Sequence, residues 1–159
     1  MNTEYATEVR KTLTEYVKFY SEFLAFEQNK LEAVEQNKLE LLDGLVKQEE
    51  VFLLKSRGME QNRIKSQEEH GYANKRLRDL IEIAPDDMKE ELLAKFTELN
   101  EIVVQLQRTN ERCNIAIKAR LQAIDRAMDR IKTENNQKTY DDTANSQKKN
   151  GKAFFSDKV

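Results

Sequence analysis

Tryptophan is absent from the 159 residues, and there is one proline, one cysteine, one histidine and four glycines. Sandwiches, barrels and doubly wound sheets of this size need many tight turns, which Gly and Pro supply. Five such residues are too few, so β-rich and α/β folds are excluded. A lone Cys113 has no partner for an internal disulfide, and a reduced, cytoplasmic setting is the expectation. A lone His70 defeats a di-iron bundle, which needs two Glu-x-x-His pairs, and residue 67 is Gln rather than Glu. Zinc sites need more His and Cys than this chain holds. No Gly-rich phosphate loop exists, because the glycines are isolated. Long apolar runs are missing too; none exceeds four residues, as at 51–54. A bilayer span takes roughly 20 apolar residues, so no membrane insertion is expected. The opening MNTEYATEVRKTL carries no apolar signal-peptide core. Neither charge dominates: 27 basic and 29 acidic residues leave a net −2, which argues against a nucleic-acid partner.

What is present is charge and helical periodicity. Charged residues make up 35% of the chain, against about 25% in ordinary domains. Mean hydropathy is −0.83, so any core is a thin apolar seam. In residues 86–132 that seam is Leu92, Phe96, Leu99, Val103, Leu106, Asn110, Cys113 and Ile117, in steps of four and three. Such a heptad favours helices packed along one another, with Asn110 as a register device. Pro85 suits a helix start, and Asp86 and Asp87 complement the positive end of the dipole.

A second seam runs through Leu13, Val17, Tyr20, Leu24, Leu31, Val34, Leu41, Leu45 and Phe52, thickened by Phe19, Phe23 and Phe26. It predicts one helix over about 6–70, weakened at Gly58, with Gly58 and Gly71 the two candidates for its end. Between the seams, residues 74–83 predict a short helix with Asn74 as N-cap. The hexapeptide EQNKLE occurs twice, at 27–32 and 35–40, and is expected on a solvated face. The expected fold is all-α: an elongated antiparallel helical hairpin, or coiled-coil bundle, of two long helices (about 6–70 and 86–132) plus one short one. Residues 1–132 form the bundle. Residues 133–159 are polar, with Tyr140, Phe154 and Phe155 the aromatics among them, and are expected to be a disordered tail.

Carboxylates lie beside Lys and Arg along the helices, and nothing in their spacing selects a catalytic pair. Cys113 falls on the apolar seam, where a small core residue is expected rather than a nucleophile. No enzyme activity and no cofactor are expected. The reading instead is interaction. A hairpin with one short third helix leaves part of each seam uncovered, and uncovered apolar surface marks contact sites. Ile117, Leu121, Ile124, Met128 and Ile131 form the strongest candidate, because Leu121 and Met128 broaden the stripe. A structural protein that self-associates through the same seam is the alternative.

The segment LLAKFTELNEIVVQLQRTNERCNIAI at 92–117, with LRDLIEIAPDD before it, LLDGLVKQEE in the first long helix and TYDD in the tail, resembles the FlgN family of flagellar export chaperones, in particular its clostridial members. The order of these parts carries the resemblance, over roughly residues 16–140. Two features differ: Cys113 stands where a second Asn is usual, and Asp-Asp-Thr-Ala-Asn follows Tyr140 without the usual Gly. The resemblance implies a cytoplasmic chaperone of type III flagellar export that binds the C-terminal helices of hook–filament junction proteins. It would prevent their premature assembly and deliver them to the export gate. It implies Ile117, Leu121, Ile124, Met128 and Ile131 for cargo, and Tyr140 for the membrane component of the gate. From the aromatic pattern alone, Phe154 and Phe155 are added as tail anchors.

Overall fold

The computed structural model describes residues 1–150, with side chains through Thr143. Among these residues there is no strand. Four α-helices follow in order: α1 (Thr3–Glu35), α2 (Leu42–Glu69), α3 (Leu77–Glu82) and α4 (Asp86–Asn150), with a single 3-10 turn at Leu39–Leu41 before α2. The all-α helical bundle expected from the sequence is what the structure shows. None of these helices is long and apolar enough, within the described residues, to cross a membrane.

The helix expected over about 6–70 is two helices, and the break has a clear cause. Asn37 sits in the left-handed region at φ 58°. The N–H of Lys38 donates to Ala33 O at 2.9 Å and that of Asn37 to Val34 O at 3.1 Å. This pair of bonds is the Schellman C-cap, which Asn serves second only to Gly. Gly58 does not interrupt α2. That helix closes with a second Schellman pair, Tyr72 N–H to Gln67 O at 2.7 Å and Gly71 N–H to Glu68 O at 3.1 Å, with Gly71 at φ 78°. A left-handed conformation costs a residue with an ordinary Cβ roughly 1–2 kcal/mol. Asn37→Ala is therefore expected to lower unfolding free energy by about 1 kcal/mol in urea titration. An unchanged midpoint would mean that the turn tolerates a continuous helix.

The remaining ends differ in detail from expectation. Asn74 is left-handed at φ 62° and lies in the loop; α3 is capped at Arg76, whose N–H is bonded by Asp79 Oδ2 at 3.0 Å. Asn2 caps α1 by accepting from Tyr5 N–H at 2.8 Å. Pro85 O accepts from Met88 N–H at 2.9 Å, which opens α4 with Asp86 and Asp87 in its first turn. Residues 133–150, expected to lack order, are helical. Between Pro85 and Gly151 the sequence has neither Pro nor Gly, so nothing stops α4 at residue 132.

The chain divides into two compact units, Met1–Ala116 and a second that begins at Ile117. In the first, α1 and α2 run antiparallel. Tyr16 donates to Met59 O at 3.1 Å, Tyr20 pairs with Ser56 at 2.8 Å, and Lys30 reaches Glu49 near the turn. The α4 residues 86–116 run parallel to α1, with Arg10 on Glu91 at 3.4 Å and Glu27 beside Asn110 at 3.3 Å. Three long elements therefore share the core where a two-helix hairpin was expected. One apolar cluster joins Ala6, Val9 and Leu13 of α1 to Leu80 and Ile81 of α3 and Leu92 and Leu99 of α4. A second joins Phe19, Phe23 and Leu24 to Leu106, with Phe52 of α2 stacked on Phe23 at 4.9 Å between ring centroids. Gln67, buried in α2, donates to Tyr72 O and Lys75 O at 3.2 and 2.7 Å and so holds the loop that leads into α3.

Candidate functional site

Two places in the chain concentrate unusual chemistry. The first is a buried polar node in the Met1–Ala116 unit. Glu27 of α1 is fully buried and Lys30 is 2% exposed, in the first copy of EQNKLE, where a solvated face was expected. The Lys30 ammonium bonds Glu49 of α2 and lies 3.7 Å from Glu27 Oε2. The Asn110 amide donates to Glu27 Oε2 at 3.3 Å and to Glu49 Oε1 at 3.2 Å. Glu27 Oε1 is buried with no hydrogen-bond partner. Burial pushes the Glu27 carboxyl above its ordinary range, outweighing the pull of Lys30, and the Glu49 carboxylate pushes it the same way. Burial alone would depress Lys30, but the Glu49 hydrogen bond and the Glu27 charge hold it raised. The Cys113 thiol next to this node is fully buried and is also pushed up, chiefly by burial. A thiol kept protonated is a packing group rather than a nucleophile.

The structure thus selects a carboxylate pair that sequence spacing did not. A signal for it was present. The α1 seam steps straight from Leu24 to Leu31, and Glu27 fills the empty slot, as Asn110 fills one in the α4 seam. The two filled slots meet. Held inside the bundle by an amide and a lysine, these carboxylates fasten three helices at one register.

The second place is in the unit that begins at Ile117. There Leu121, Ile124, Met128 and Ile131 are 52, 44, 51 and 54% exposed, and Ile117 is half-buried. Their spacings are four, three, four and three, a heptad stripe along one face of α4. The phase shifts at its start, because Cys113, Ile117 and Leu121 follow one another by fours. Each described residue of 121–142 is exposed. Five apolar side chains in a row, four of them about half in water, form an exposed apolar patch, a feature often found at contact sites. Tyr140 lies further along the same helix at 66% exposed. Phe154 and Phe155 lie outside the described residues. No group of three or more His, Cys, Asp and Glu among the described residues is arranged to hold a metal ion.

A family model described as FlgN protein matches residues 1–148. No curated protein and no solved structure matches the chain.

Proposed function

The chain belongs to the FlgN family, a family of flagellar export chaperones, and on that premise we propose that its stripe at residues 117–131 takes up the C-terminal helices of hook–filament junction proteins. Bound there, a junction protein is kept from premature assembly in the cytoplasm and is carried to the type III export gate. Tyr140 is the contact for the gate's membrane component, and Phe154 and Phe155 anchor the tail on a partner. The exposure of Leu121, Ile124, Met128 and Ile131 carries the reading. An amphipathic helix laid on such a face buries apolar area on both partners, and a Met in the stripe adapts to different partners.

The test is a binding titration with junction-protein C-terminal peptides. Leu121→Asp with Met128→Asp places two charges in the middle of the stripe and is expected to weaken binding by at least about 100-fold. Its thermal unfolding should stay close to that of the parent, because both side chains are already half in water. Tight binding by the double variant would refute the assignment of the stripe. Tyr140→Ala should retain cargo binding and lose affinity for the gate component.

A further inference from the structure

The polar node holds two carboxylates and one ammonium inside the bundle, and its geometry does not treat the two acids alike. Glu49 Oε2 takes the hydrogen bond of the Lys30 ammonium, and Glu49 Oε1 accepts from the Asn110 amide at 3.2 Å. Glu27, fully buried, is left with less. Its Oε2 accepts from the same amide at 3.3 Å and stands 3.7 Å from the Lys30 nitrogen, beyond hydrogen-bond distance. Its Oε1 meets no donor. An ionised carboxylate has about four acceptor sites to fill, and leaving them unfilled away from water is costly. A neutral acid asks for less: it carries no charge, and its O–H needs a single acceptor.

We propose that the node is a proton-binding site, in which Glu27 is carried as the neutral acid with its O–H donated to the Glu49 carboxylate. One bound proton leaves Glu49 and Lys30 as a one-to-one ion pair and the node without net charge. The two acids take up this proton as a pair. Burial places it on Glu27, because Glu49 keeps 15% of its side chain exposed and Glu27 keeps none. The groups that face Glu27 are Lys30 of its own helix, Glu49 of α2, and Asn110 and the Cys113 thiol of α4. Burial above all, then the charge and hydrogen bond of Glu49, hold the Glu27 proton on against the pull of Lys30. A carboxyl that holds its proton more tightly folded than unfolded favours folding below the ordinary carboxylate range. That advantage is lost as pH rises through its raised value. Lys30, raised as well, titrates far above this window. Closing α1, α2 and α4 over the node is thereby coupled to the uptake of one proton.

The experiment compares urea unfolding of the full-length chain with that of Glu27→Gln, whose amide has the shape of the neutral acid. Over the range from about pH 5 upward in which the folded chain keeps its proton, the ratio of the two unfolding equilibrium constants is expected to shift by about tenfold per pH unit. The parent loses stability relative to the variant as pH rises. A ratio that stays constant from about pH 5 to pH 8, or that shifts in the parent's favour, overturns the proposal. Carbon-13 NMR of the glutamate-labelled parent gives a second reading that needs no variant. At neutral pH the Glu27 side-chain carbonyl carbon is expected at the chemical shift of a carboxylic acid, and that of Glu49 at the shift of a carboxylate. A carboxylate shift for Glu27, or an acid shift for Glu49 in its place, overturns the assignment. Should Glu27→Gln fail to fold, the NMR result decides alone.

Discussion

Lys30→Met is expected to lower the unfolding free energy by about 3–5 kcal/mol, the range for breaking a buried ion pair by removing one partner. The substitution leaves Glu27 and Glu49 facing each other across the Asn110 amide with no cation between them. Glu27 has nowhere to turn, being fully buried with one oxygen already unpaired. Methionine fills much the same volume as the lysine stem, so the loss comes from uncompensated charge rather than a cavity. Urea titration reads it directly. Replacing Glu27, Lys30 and Glu49 together by apolar residues of similar size is expected to recover most of the loss, and such exchanges elsewhere have been neutral or stabilising. A Lys30→Met protein as stable as the parent would mean that water reaches the node. Recovery in the triple variant would locate the node's value in fixing how α1, α2 and α4 pair, since an apolar seam alone permits a slip by one heptad.

Leu92→Ala is the second large effect, expected at about 2–5 kcal/mol. Leu92 is fully buried and packs in the cluster that ties α4 to α1 and α3. Truncating it leaves a cavity in a core only a few side chains thick. The paired control is Leu121→Ala, expected within about 0.5 kcal/mol of the parent because its side chain is half in water. Both leucines lie on α4 and both belong to heptad patterns, so sequence position alone predicts the same outcome for each. A large loss for Leu121→Ala would make the stripe part of a folded core and would remove it as a docking surface. Equal, small losses for both would instead mean that the bundle around Leu92 is loosely packed.

Much of the fold was legible before any coordinates. Scarce Gly and Pro excluded sheets, the Pro-Asp-Asp run marked the start of α4, and the seam residues Leu13, Leu92, Leu99, Leu106 and Cys113 are buried where the heptads put them. The stripe from Ile117 to Ile131 was legible as well, since its residues lie on one helix and need no distant partner to be recognised. The α1–α2 hairpin was not. Its break hangs on one Asn in a left-handed conformation, in a stretch whose residues are otherwise good helix formers. The end of α4 is not legible either, for the opposite reason. A polar segment with little to bury reads as disorder, but with no breaker before Gly151 it continues the helix it follows.

The repeated hexapeptide separates what sequence determines from what it leaves open. Composition and periodicity alone made this chain all-α, because a chain so short of turn residues and so regular in its apolar spacing can bury a seam only as helices. Which residues of each helix turn inward was decided by the tertiary structure. In the first EQNKLE, all six residues are helical, Glu27 and Lys30 are buried, and Leu31 packs inside. In the second, Asn37 caps the helix, Lys38 is exposed and Leu39 opens a 3-10 turn. Identical local preferences met different neighbours. Glu49 and Asn110 stand opposite the first copy, and their charge and hydrogen bonds offset the cost of burying Glu27 and Lys30. The second copy lies where α1 must end for α2 to return along it, and there the left-handed Asn is the favoured conformation.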